Sequence, residues 1–214
     1  MIRACIFDLD GVIVDTAHYH FLAWKRLADE LGITFTELDN ERLKGVSRMQ
    51  SMDILLELGG ISLSPQEKER LANKKNSWFV DYIGRMTPGE IFPGVKPLLV
   101  ALRTRGVKVG LASSSKNAQT VIEVLGIQRE FDAVVDGTMI AHTKPDPEIF
   151  LLAARMVGVV PQDCLVFEDA EAGVEAALAA GMKCIGIGSE AQLGKADRVL
   201  KTTSQFTVEM VNEF

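Results

Sequence analysis

From Pro93 to Ile187 the chain alternates amphipathic stretches of helical length with short apolar runs, and this alternation restricts the fold more than any other feature. The stretches Val95 to Arg105, Asn117 to Leu125, Pro147 to Val157 and Ala172 to Ala180 precede the runs Val107 to Ala112, Ala133 to Val135, Cys164 to Phe167 and Lys183 to Ile187. Strands separated by helices of this length predict a parallel sheet covered on both faces. One more apolar run, Ile2 to Phe7, reads as a buried strand and stops at Asp8-Leu9-Asp10-Gly11.

Thr16 to Met86 reads differently. Phe21, Trp24, Leu27, Ala28 and Leu31 recur at helical spacing and stop at Gly32. Ser47 to Leu58 is a second amphipathic stretch. Ser64-Pro65 opens a third, with Glu67 at the position of a capping box. The expected architecture is therefore α/β: an open parallel-sheet, Rossmann-like core over residues 1–14 and 88–214, with a helical cap domain over 15–87 inserted after the first strand. Val14-Asp15 and Thr87-Pro88-Gly89 are the expected linkers.

A chain of 214 residues with 47% hydrophobic content can bury a real core. A net charge of −6 gives no footprint for nucleic acid or an anionic membrane, so neither is expected as a partner. No apolar run has the length of a membrane span, and Met1 to Phe7 is too short for a signal core. A cytoplasmic monomer is expected. The three cysteines, Cys5, Cys164 and Cys184, are too widely spaced for a disulfide framework or zinc site. They sit in runs that read as buried strands, where they act as small hydrophobes.

In open parallel sheets ligands bind at the carboxyl ends of the strands. The first run delivers Asp8 and Asp10 there. The second delivers Ser113, Ser114, Ser115, Lys116 and Asn117; Thr143-Lys144-Pro145 follows the third, and Glu168 and Asp169 follow the fourth. Any one of these, read alone, is an ordinary turn, cap or surface residue. Four strand ends converging on one edge are not explained that way. Asp8, Asp10, Glu168 and Asp169 would repel one another without a cation, and an all-oxygen donor set fits Mg2+. Asp8 ends its strand and is held rigidly, which makes it the candidate nucleophile through an aspartyl-phosphate. Asp10, two residues on, is the candidate general acid and base. Ser113 and Lys144 would hold the transferred phosphoryl group. The Lys144-Pro145 bond is open to either isomer.

The run Asp8-Leu9-Asp10-Gly11-Val12, followed in order by Ser113, Lys144-Pro145 and Glu168-Asp169, resembles the haloacid dehalogenase superfamily over essentially the whole chain. The insertion after the first motif is similar to its members with a helical cap. The finer pattern, in Thr16, His20, Trp24, Leu43 to Arg48, Lys75-Asn76 and Ser113 to Asn117, resembles the branch of sugar-phosphate mutases. That resemblance implies several roles. Thr16 lies in the hinge beside the general acid/base. His20 and the loop of Lys44, Gly45, Val46, Ser47 and Arg48 belong to the cap side of the substrate site, with Trp24 beside them and Lys75 reaching in. Ser115, Lys116 and Asn117 lie near the non-transferring phosphate or the sugar. Beside these, helical spacing reads Trp24 as packing, and an ordinary capping or packing role stays open for His20. Arg48 opens a helix, where a cation does not help the dipole, which favours an anion-binding role.

The implied activity is interconversion of β-glucose 1-phosphate and glucose 6-phosphate through a bisphosphate, with sugar phosphate and bisphosphate as the partners. The alternatives are a sugar-phosphate phosphatase, using the same Asp8 and Asp10 with water as acceptor, and, from another class, a non-catalytic sugar-phosphate-binding protein.

Overall fold

The computed structural model describes residues 1–43 and 46–214. Its contacts divide the chain into two compact units, Met1–Asp15 with Thr87–Phe214, and Thr16–Met86.

The first unit begins with β1 (Ala4–Phe7). The second unit holds α1 (Ala17–Glu30), α2 (Glu37–Glu41), α3 (Arg48–Gly59) and α4 (Pro65–Ile83). The chain then returns to the first unit with α5 (Val95–Thr104), β2 (Lys108–Ala112), α6 (Ala118–Val124), β3 (Ala133–Val135) and α7 (Glu148–Val157). It ends with β4 (Cys164–Glu168), α8 (Glu171–Ala179), β5 (Lys183–Ile187), α9 (Glu190–Leu193) and β6 (Arg198–Leu200), followed by short 3-10 turns.

The six strands are all parallel, in the order β3-β2-β1-β4-β5-β6. β1 lies between β2 and β4, so the direction of winding reverses beside it, and such a reversal opens a crevice at the carboxyl edge. Phe7 is in register with Phe167, and the Asp8 N–H donates to the Phe167 carbonyl at 2.9 Å. The residues that follow this pair, Asp8 and Glu168, therefore emerge side by side. Ala4 and Ile6 pack with Ile149, Phe150, Ala153 and Val157 of α7 and with Val174 and Ala177 of α8. On the alternate positions Phe7 stacks on Phe167 at 4.4 Å between ring centroids, and Phe206 meets Phe167 edge-on at 4.9 Å. All three cysteines are free, buried and in strands β1, β4 and β5, and burial pushes their thiols upward.

In the helical unit α1 packs on α4, with Trp24, Leu27 and Ala28 of α1 and Leu71, Trp78 and Phe79 of α4 buried. Ser64 caps α4 by accepting from the Glu67 N–H at 3.2 Å, but the expected box does not close there. The Glu67 carboxylate instead takes Arg70, at 2.9 and 2.6 Å, because a bidentate charged partner one turn away outcompetes a backbone N–H. A complete box forms at α3, where Ser47 accepts from Gln50 and the Gln50 side chain accepts from the Ser47 N–H at 2.9 Å. Among the described residues no helix is long and apolar enough to cross a membrane.

Candidate active site

Asp8 stands one residue beyond β1, almost wholly buried. Glu168 ends β4, also buried, and Asp169 follows it with part of its surface exposed. One oxygen from each of Asp8, Glu168 and Asp169 lies within 4.8 Å of the others. Lys144 reaches this group from the loop before α7. Its ammonium donates to Asp8 Oδ1 at 2.5 Å and to Glu168 Oε2 at 2.8 Å, with both carboxylates and the lysine buried. The Lys144-Pro145 peptide is cis.

The electrostatics follow from burial. Desolvation pushes the Glu168 carboxyl up, and so does Asp8, against the opposing pull of Lys144. Desolvation likewise raises Asp169, reinforced by Asp8, Glu168 and Asp10. Burial alone would lower Lys144, but the Asp8 and Glu168 carboxylates hold it above the ordinary lysine value. One ammonium thus faces an excess of carboxylate. The donors are all oxygen, which suits a hard divalent cation, and Asp8, Glu168 and Asp169 are the side chains that would hold it. Asp10 lies outside the set with mutually close oxygens, yet near enough to raise Asp169.

Two glycines make room for the acids. At Gly11, with φ +73°, a Cβ would lie 2.1 Å from Asp169 Oδ2. At Gly173, in the first turn of α8, a Cβ would lie 2.0 Å from the Glu168 carboxyl carbon. Gly11 is visible in the sequence beside Asp10, whereas Gly173 carries no local signal. The cap of α8 is Ala170 and makes no side-chain cap bond, so Asp169 is not serving as an N-cap.

Ser113 is buried just past β2. Its N–H donates to the Val135 carbonyl at 3.0 Å and its Oγ accepts from the Ser115 N–H at 3.2 Å. Ser115 Oγ accepts in turn from the Asn117 N–H at 3.2 Å. Lys116 is exposed between them.

In the helical unit Thr16 is buried and precedes α1, accepting from the His20 N–H through its carbonyl at 3.0 Å. His20 stacks on Phe79 at 3.9 Å, and its Nδ1 lies 2.8 Å from Lys75 Nζ. The Lys75 ammonium is buried over the Trp24 ring at 4.6 Å and the Phe79 ring at 4.9 Å. Trp24 is 2% exposed, so its surface is used inside this unit. Burial holds His20 well below the usual imidazole range, helped by Lys75 and Arg48, and burial holds Lys75 well below the usual lysine range, helped by Arg48. Arg48 donates to Asn73 Oδ1 at a long 3.5 Å. Neither Arg48 nor Lys75 forms an ion pair among the described residues. Val46 is exposed, Ser47 is engaged as the α3 cap, and Lys44 and Gly45 lie outside the described residues.

Replacing Lys144 by Ala leaves Asp8 and Glu168 facing each other with no ammonium. Losing one partner of a buried charge cluster costs about 3–5 kcal/mol. The variant is therefore expected to unfold at markedly lower urea in chelator, and a denaturation midpoint equal to that of the parent would contradict the assigned role.

The haloacid dehalogenase-like hydrolase family model matches residues 2–181. The chain is 46% identical to a β-phosphoglucomutase of Bacillus subtilis, over 99% of this chain and 94% of that protein. It is 34% identical to a phosphorylated carbohydrates phosphatase of Thermotoga maritima, over 91% and 89% of the two chains. The crystal structure of a β-phosphoglucomutase from Clostridium difficile superposes with a TM-score of 0.94 at 45% identity, covering 100% of this chain and 96% of that one. With the motif-bearing strand ends gathered on one sheet edge and likeness running the length of the chain, the protein belongs to the haloacid dehalogenase-like hydrolase family.

Proposed function

We propose that this chain is a phosphoryl-transfer mutase interconverting β-glucose 1-phosphate and glucose 6-phosphate. The carrying observation is the end-to-end likeness to β-phosphoglucomutases, which includes the helical unit and not only the four strand-end motifs. Asp8 attacks the phosphorus of a sugar bisphosphate. An Asp8 Oδ–P bond forms, the ester P–O bond breaks, and the leaving sugar oxygen takes a proton from Asp10. In the other half-reaction Asp10 takes the proton of the accepting sugar hydroxyl. That oxygen bonds to phosphorus and the Asp8 carboxylate is released.

Lys144 and Ser113 hold the transferring group, and Lys144 opposes the charge spread over its oxygens. A divalent cation, Mg2+ in this reading, would be held by Asp8, Glu168 and Asp169, with Asp10 beside the set, and would supply the remaining charge neutralisation. Arg48, Ser115, Lys116 and Asn117 hold the non-transferring phosphate. Thr16 serves in the hinge beside the general acid and base, and His20, Lys44, Gly45, Val46, Ser47 and Lys75 complete the sugar side, with Trp24 as the platform beneath Lys75. The lack of any carboxylate paired with Arg48 among the described residues supports an anionic ligand there, because a half-buried guanidinium gains from a compensating charge. Residues 15–87 act as the cap domain and 1–14 with 88–214 as the catalytic core. The chain works as a cytoplasmic monomer in this reading.

One assay separates the competing activities: magnesium, β-glucose 1-phosphate and a trace of the bisphosphate. Glucose 6-phosphate is expected. Free phosphate would favour a phosphatase like the Thermotoga relative, and no product would favour a binding protein.

Arg48→Ala carries a narrower expectation. A charged contact of this kind contributes on the order of 1.5–3 kcal/mol, so mutase efficiency should fall roughly tenfold to a hundredfold. Phosphorylation of Asp8 by acetyl phosphate, which has no second phosphate, should change little. If both fall together, Arg48 is structural.

A further inference from the structure

The turn after β1 is gripped by a residue near the far end of the chain, and we propose that this residue, Thr203, is a positioning residue for Asp10 in phosphoryl transfer. The proposal rests on Asp10 being the general acid and base.

Thr203 is 2% exposed, and its hydroxyl donates to the Val12 carbonyl at 2.7 Å, 191 residues away in sequence. Leu9 to Val14 forms a tight turn around Asp10. The Leu9 carbonyl accepts from the N–H groups of Ile13 and Val14, at 2.9 and 3.2 Å, and the Val14 carbonyl accepts from the Gly11 N–H at 2.9 Å. The Ile13 carbonyl accepts from the Phe92 N–H at 2.8 Å. The Val12 carbonyl takes part in none of these bonds. Val12, Ile13 and Val14 are completely buried, so water cannot serve that carbonyl, and the Thr203 hydroxyl is its donor.

The segment that carries Thr203 is itself fixed. Gly94 packs so closely that a Cβ there would lie 2.9 Å from the Ser204 Cβ. Three residues after Thr203, Phe206 meets Phe167, which stacks on Phe7 immediately before Asp8. The C-terminal segment therefore braces the catalytic run both behind Asp8 and beyond Asp10. Proton transfer needs heavy atoms within about 2.6–3.2 Å, and a displacement near 1 Å costs up to about a hundredfold. An anchor two residues from Asp10 thus acts on the step that moves the proton.

The test compares two reactions of one variant. Thr203→Val keeps the shape and removes the hydroxyl. Mutase kcat is expected to fall about tenfold with KM within about twofold. Phosphorylation of Asp8 by acetyl phosphate, whose acetate leaves without a proton from Asp10, should stay within about twofold. Thr203→Ser, which restores the donor, should recover most of the loss. Equal loss in both reactions, unchanged kcat, or a Ser variant as slow as Val would overturn the proposal. If Thr203→Val does not fold, Thr203→Cys, similar in size and a poor donor, is read the same way. Asp10→Asn in the same pair of assays separates the premise from the proposal. If Asp10→Asn does not split the two reactions, the acid/base assignment fails and takes the proposal with it; if it splits them and Thr203→Val does not, only the role of Thr203 fails.

Discussion

Asp8→Asn is expected to lower turnover by about 10⁴-fold or more, because the variant loses the carboxylate assigned to bond with phosphorus. The loss should not come from unfolding. Asn has nearly the shape of Asp, the backbone bond from the residue 8 N–H to Phe167 is unaffected, and Lys144 keeps Glu168 as a charged partner. The substitution also removes one of the charges that raise Glu168 and Asp169. In chelator the variant should therefore melt at the same temperature as the parent or above it. Incubation with acetyl phosphate followed by intact-mass measurement should find phosphate on the parent and none on the variant. Phosphate retained at another residue, or turnover within tenfold of the parent, would move the nucleophile elsewhere.

The strands that build the site were legible because a parallel sheet buries both faces of its inner strands, leaving short apolar runs that need no periodicity to be seen. β3 and β5 begin and end where the sequence puts them. β1 starts at Ala4 rather than Ile2, although Arg3 still bonds on both sides through its backbone. β6 was not legible. Arg198-Val199-Leu200 pairs on one side only, is half-buried throughout, and so carries no apolar run. α2 escaped for a similar reason: Glu37–Glu41 is polar and short, and its box between Thr36 and Asp39 ends in Asp rather than Glu or Gln.

The candidate site divides along the same physical line. Asp8, Glu168 and Asp169 could be read from the chain because they stand at or just past strand ends, which share an edge, and Lys144 because it lies in the loop that follows β3. What packs against them could not. Gly173 matters only because Glu168 folds over it, and Thr203 only because Val12 lies beneath it. Neither residue belongs to a local pattern, since the contact that gives it meaning is made by the tertiary fold. Arg48 lies between these cases. Its poor place at a helix N-terminus is visible in the sequence, whereas the absence of a carboxylate partner among the described residues is visible only in the structure.

Withdrawing the divalent cation is expected to abolish turnover and to change the pH dependence of stability. In the metal-free protein Glu168 is raised to about 7 and Asp169 to about 8, by burial first and by neighbouring carboxylates second. Unfolded carboxyls titrate near 4. Between those limits the native state binds more protons than the unfolded state, so metal-free stability falls as pH rises from about 4 to about 8. Below that window the acids are protonated in both states and the effect is absent. A bound cation displaces those protons. Its binding should release protons at pH 6, and its affinity should rise with pH up to about 8. Stabilisation by a saturating cation, about 2.7 kcal/mol at a hundredfold excess over Kd, should be larger at pH 8 than at pH 5 because the affinity is higher there. Magnesium should restore turnover after chelation, whereas calcium, with longer bonds and looser coordination, should restore little or inhibit. Thermal melts at pH 5 and pH 8, with and without magnesium, test the whole argument. Equal stabilisation at both pH values, or full turnover in excess chelator, would show that Asp8, Glu168 and Asp169 are not a cation site.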